Sequence, residues 1–176
     1  MPGTPENLNI LREKNFKAQL TVSRLPTVNF WLTGVTMPGF SIQPIDRPGL
    51  NKTLPEPGNK LGREALGVNF LVDEDATNWL ELYNWFLGMT YPQNFEKSSA
   101  WIAEQAKSLG ETHPYKSTLT VMALKNSMFP NVNFTFHNAF PTSLGGITFL
   151  SNSTDKDISS SASFVFTHMT AEKLGH

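Results

Sequence analysis

The sequence predicts a mainly β, α+β domain: an antiparallel β-sandwich or small barrel, flanked by one long helix and a second short one, with a long Pro/Gly-rich loop. Three observations predict it. Period-two alternation recurs towards both ends of the chain, helical spacing is confined to the middle, and five prolines and four glycines crowd residues 37–62. Strands gathered on both sides of a helix favour an antiparallel sheet closed or doubled on itself, with the helix over one opening.

Residues 1–15 read as an N-terminal arm with apolar Leu8, Ile10 and Leu11, a frayed terminus being the alternative. From Phe16 the pattern alternates: Phe16, Ala18, Leu20 and Val22 against Lys17, Gln19, Thr21 and Ser23, as in a half-buried strand. Leu25-Pro26-Thr27 reads as a turn into a second strand through Val28, Phe30 and Leu32, the two pairing as a hairpin. Proline cannot donate to a ladder and glycine loosens one, so 37–62 reads as a long loop or irregular ribbon. Its Phe40, Ile42, Ile45, Leu50, Leu54 and Leu61 do not suit disorder and imply docking, onto the same domain or a neighbouring chain.

Leu66, Val68, Phe70 and Val72 form the next strand, running into Asp73-Glu74-Asp75, whose charges suit a helix N-terminus. Trp79, Leu82, Tyr83, Phe86 and Leu87 recur at helical spacing, with Gly88 as the stop. A second helix is expected over about 98–109, inside an insert spanning 91–113. Strands return at Leu119-Val121-Ala123, Val132-Phe134-Phe136, Ile147-Phe149 and Ala162-Phe164-Phe166-His168, and 170–176 read as a loose tail. Phe70, Phe134, Phe136, Phe164 and Phe166 are expected in the core.

Composition excludes several functions. A chain of 176 residues with 39% apolar and 16% charged residues makes one domain, spanning 16–169. A net charge of −1 lacks the basic surplus of a nucleic-acid binder. Without cysteine there is no disulfide, thiolate zinc site or cysteine nucleophile. No apolar run approaches a membrane span of roughly 18 residues. Met1 to Asn7 shows neither the basic start nor the apolar core of a signal peptide, so the expected site of assembly is a cytoplasm.

Chemistry is hard to find. Asp73-Glu74-Asp75 lacks the further oxygen ligands and glycine of a cation loop, so helix capping is preferred over metal or catalysis. His113, His137, His168 and His176 show no metal-protease spacing. His137 and His168 could meet across a sheet, and are read as polar sheet residues in preference to a metal pair. Serines 159, 160, 161 and 163 have no nucleophile elbow, and Gly145-Gly146 reads as a turn. The expectation is therefore no enzyme, no cofactor and no metal. A good core, no constellation, and an apolar-dotted loop and arm suit an assembly subunit whose sheet edges pair with copies of itself.

One ordered set of motifs resembles a known family. Val68 to Trp79, continuing through Tyr83-Asn84-Trp85-Phe86, gives a strand, a short acidic run and a helix with tryptophan near its end. Upstream stand Phe16 to Leu20 and Val35-Thr36-Met37-Pro38-Gly39-Phe40; downstream, Phe129-Pro130-Asn131-Val132 and Phe140-Pro141-Thr142-Ser143-Leu144-Gly145, then the closing strand from Ala162 to His168. Over 16–169 this resembles the tail-tube proteins of contractile-tailed phages, including their tube initiators and terminators.

The resemblance implies a structural virion protein of the phage tail. Hexameric rings would stack into the inner tube, joining their inner sheets into one barrel around a lumen. DNA would pass through without sequence-specific binding, and the tape-measure protein, sheath, and baseplate or neck proteins would be partners. It implies that 41–63 reaches between subunits, with Leu8, Ile10, Leu11, Ile42, Ile45, Leu50, Leu54 and Leu61 at the interface. Asn131, Asn133 and Thr135 become lumen candidates. The alternatives are a one-ring initiator or terminator, favoured by the 91–113 insert, and a baseplate carbohydrate-binding module using Trp31, Tyr91 and Trp101.

Overall fold

The computed structural model describes residues 11–19, 25–50, 52–90, 99, 115–151 and 156–174. Leu8, Ile10, Tyr91, Trp101 and the expected second helix, apart from a helical Ser99, lie outside them. The described elements are strands β1 (Phe16–Gln19), β2 (Leu32–Thr36), β3 (Phe40–Pro48), β4 (Thr53–Arg63), β5 (Leu66–Leu71), β6 (Ser117–Leu124), β7 (Pro130–Leu144), β8 (Ser159–Val165) and β9 (His168–Lys173). Two helices join them, α1 (Pro26–Phe30) and α2 (Thr77–Thr90).

Every pairing is antiparallel. β1-β6-β7-β8-β5-β2 run in that order, β9 pairs with β7, and β3 and β4 form a separate two-stranded ribbon. The long β7 serves two sheets. Its Val132 to His137 lie between β6 and β9, while Phe140 to Leu144 pair with β8. Between these stretches Asn138 takes φ 55, a left-handed conformation that Asn tolerates better than most residues. A strand that turns a corner in this way closes two sheets over one core.

That core joins Leu119, Val121 and Phe136 of the first sheet to Leu66, Val68, Phe70, Ala162 and Phe164 of the second. Leu25 and Val28 of the α1 region and Leu82 and Trp85 of α2 complete it. Phe136 meets Phe166 edge-on at 4.9 Å, and Trp85 lies tilted over Phe164 at 6.1 Å. Of the expected core phenylalanines, Phe134 is the half-buried one, packed against the cluster from its margin.

Four expectations are corrected. The turn and second strand at Leu25 to Phe30 are a turn entering α1, with Pro at its start, where a missing N–H costs nothing. Consequently β1 pairs with β6 and β2 with β5; the two do not form a hairpin. Of the two readings of 37–62 the irregular ribbon holds: Phe40 to Arg63 pair with a register shift between Ile42 and Pro44, and both strands are edges, where proline is tolerated. Ile147 and Phe149 lie outside any strand, and Phe149 is exposed. The expected single closing strand is two, β8 and β9, so the supposed loose tail is paired through Lys173.

α2 also passes through Gly88, the expected stop, to Thr90. Gly88 is buried against the domain, and packing outweighs its intrinsic cost of about 1 kcal/mol.

Candidate assembly surfaces

The first surface is the outer face of the β1-β6-β7-β9 sheet. Phe134 and Phe136 point into the core, so the alternation turns Asn131, Asn133 and Thr135 outward. Register then fixes their neighbours. Thr135 lies between Thr120 and Thr170, and Asn133 between Met122 and Glu172, with Lys17 beside Met122. One lysine and one glutamate share this face with threonines and asparagines, so it is polar and close to neutral. Asn133 Oδ1 is buried and has no hydrogen-bond partner among the described residues. The sheet is bordered by β1 and β9, and neither has a second partner among the described residues.

The face also holds the two histidines. His137 and His168 are directly opposed in register, their rings stacked at 4.2 Å.

The second surface is the β3–β4 ribbon. Ile42 lies opposite Leu61, and Phe40 opposite Arg63, while Ile45 and Leu54 lie further out. All are exposed, from Leu54 at 44% to Ile45 at 56%, and Leu50 at the tip is fully so at 103%. Beyond the ribbon's own pairing, its base is held where Glu64 accepts from Gly39 N–H at 3.1 Å and donates its own N–H to Gly39 O at 3.0 Å. Arg47 and Glu56 meet at 3.0 Å on the ribbon's exposed surface. Gly58 has no room for a side chain, since a Cβ there would strike the Gln43 carbonyl. The ribbon is thus ordered locally but buries none of its large apolar side chains.

The acidic run does not start α2 itself; Ala76, at φ 52, stands between. Asp73 Oδ1 accepts the Asn78 N–H at 3.1 Å, satisfying one orphan donor of the first turn. The buried Asn78 side chain donates to Leu71 O at 2.6 Å and ties the helix to β5. Glu74 and Asp75 are exposed. The Gly145 carbonyl accepts from Trp79 Nε1 at 2.9 Å and Ser160 Oγ at 3.0 Å, so that serine serves packing.

Among the described residues no three His, Cys, Asp or Glu gather as a metal cluster, and no helix is long and apolar enough to cross a membrane. Trp31 is exposed, but its expected companions in a sugar groove lie outside the described residues. Sequence reading missed two further exposed apolar pairs, Met128-Phe129 and Phe149-Leu150. Their adjacency to turn residues Asn126-Ser127 and Gly145-Gly146 was the available clue.

No family model matches the chain, and no characterised protein matches it in sequence. Solved structures do. A chain of the anti-feeding prophage cap, a tube-terminating cap, superposes with TM-score 0.59 at 15% identity, covering 98% of this chain and 97% of that one. The chain has the tail-tube fold. A chain from the sheath–tube complex of the extracellular contractile injection system PVC, in its extended state, gives 0.56 at 14% identity, over 94% and 93%. The sheath/tube terminator of the same system gives 0.52 at 14%, over 98% and 99%.

Proposed function

We propose that this protein is a non-enzymatic ring subunit of a contractile injection apparatus, assembling as hexamers that stack into its inner tube. The observation that carries the reading is the ribbon: a paired element whose apolar side chains stay exposed among the described residues. Contiguous apolar surface of this kind marks a protein contact, and on a tail-tube fold the fitting occupant is another copy. Leu11, Ile42, Ile45, Leu50, Leu54 and Leu61 supply that contact. In the ring, the open edges of β1 and β9 meet between neighbours, which removes both edges and extends the sheet around a central hole.

The outer face of that sheet then lines the lumen. Its near-neutral polar character suits passage of DNA or another cargo without capture, because phosphate binding depends on clustered Lys and Arg. The sheath surrounds the tube, and the apparatus is a phage tail or a phage-like particle.

A one-ring terminator is the second reading. It is favoured by the likeness to the tube-terminating cap over almost the whole of both chains. Electron microscopy of the purified protein over a concentration series, with mass photometry, separates the two. Hollow tubes of uniform width establish the repeating subunit, and six-membered rings that never stack establish the terminator. A monomer at every concentration would count against both.

A further inference from the structure

His137 and His168 are opposed across β7 and β9, with ring planes within 10° and centroids 4.2 Å apart. Opposed residues in an antiparallel ladder hold their Cβ atoms about 5 Å apart. Across that span, the His168 imidazole can turn about χ1 and χ2 while His137 keeps its place, so that one nitrogen of each aims at a shared ion. Imidazole is the preferred protein ligand of copper, nickel and zinc.

The surroundings suit such an ion. His137 Nε2 lies 3.1 Å from Thr170 Oγ1. In the tautomer where Nε2–H donates to that hydroxyl, the Nδ1 lone pair is left for a metal, the usual support for a ligating histidine. The neighbouring position on this face is Thr135, opposite Thr120 and Thr170. β6 and β7 contain no Lys, Arg, Asp or Glu, so no ammonium or guanidinium on them repels a cation. On β9, Glu172 stands opposite Asn133, two same-face positions along, and Lys173 lies opposite Val132 on the other face.

We propose that His137 and His168 form a two-imidazole site for a divalent ion of the late first-row transition metals, with water in the remaining positions. Cu²⁺ binds tightest at such a donor set. With two protein ligands and an exposed position, the ion exchanges freely, unlike a closed four-ligand structural zinc. Both ligands belong to one chain, so the site does not depend on ring formation.

The test uses full-length protein carrying H113Q and H176Q, which leaves His137 and His168 as its only histidines. Titration with Cu²⁺ is followed by electron paramagnetic resonance. Expected is one ion per chain with hyperfine splitting from two ring nitrogens. H137Q or H168Q then reduces two nitrogens to one and weakens binding at least about tenfold. In parallel, ¹⁵N spectra of the imidazoles on adding Zn²⁺ should shift one nitrogen of each ring, a reading that needs no variant at the site. Binding that survives either substitution unchanged, or zinc that moves neither ring, overturns the proposal.

Discussion

The two-sheet domain and the β3–β4 ribbon are built from the same antiparallel pairing, yet they dispose of apolar surface in opposite ways. In the domain, Phe70, Phe136 and Phe164 are fully enclosed between sheets and helices. In the ribbon, Phe40, Ile42, Ile45 and Leu61 remain about half exposed, although every residue from Thr53 to Arg63 lies in a strand. Backbone pairing is therefore not what separates a core from a contact surface. Burial is. The domain draws its stability from its own chain, whereas the ribbon leaves its apolar side chains exposed, as the proposed association requires.

The largest effect that tests this contrast falls on the domain. Phe70 pairs with Ser160 and Leu32 across two strands and is completely buried. Phe70→Ala should cost about 3–5 kcal/mol, because the cavity adds to the lost transfer energy. Urea melts followed by circular dichroism measure it. A loss under about 1 kcal/mol would mean that the centre of the sandwich is not packed as described, and the contrast with the ribbon would fail.

A middle-sized effect belongs to the joint between β5 and α2. Asn78→Ala removes the donor to Leu71 O and the acceptor for Asp73 N–H, within a buried environment. The expected cost is about 1–3 kcal/mol, the penalty of leaving buried polar groups unmade. Glu74→Ala is the internal control, since its side chain is exposed, and it should stay within about 0.5 kcal/mol. Equal effects from the two would deny the joint its role.

What the sequence made legible follows the same division. Alternation found β5, β6 and the first half of β7 because one face of each is buried, and a period-two signal is the trace of that burial. The five-residue α1 was missed because it is too short for a helical period. Leu25 and Val28, three apart and both buried, with Pro26 between them, were the usable sign. The ribbon was legible only as one of two readings, since its prolines equally suit a loop; the rule against proline in strands holds where a strand has partners on both sides. Pro44 and Pro57 face one another in a pair of edges, where neither needs to donate outward. β9 escaped because Met169 is its one residue packed on the core, and a polar edge strand resembles a tail. Asn131, Asn133 and Thr135 do share one face of β7, alternating with Phe134 and Phe136. Its neighbours depend on register, which periodicity does not encode, whereas the expected meeting of His137 and His168 across a sheet is found between β7 and β9.

The smallest effect on folding carries the most for assembly. Ile42→Ser with Leu61→Ser alters two opposed, half-exposed residues on one ribbon face, leaving the Arg47–Glu56 pair and the Gly39–Glu64 clasp in place. Each change sits at the surface of the free chain, so the monomer's unfolding free energy should move by no more than about 0.5 kcal/mol per site. In the assembled state the exposed half of each side chain would leave water, worth about 0.75–1.5 kcal/mol each, half the value of a full burial. Losing two should therefore raise the concentration needed for stacking at least about tenfold, given a tenfold change for each 1.4 kcal/mol. Parallel urea melts and sedimentation of assembled particles read the two quantities on the same samples. If both fall together, the ribbon belongs to the fold. If neither moves, some other surface holds the copies together, and Met128-Phe129 and Phe149-Leu150 become the ones to change. Loss of assembly at constant stability is the outcome that a contact surface, held outside the core by its own chain, requires.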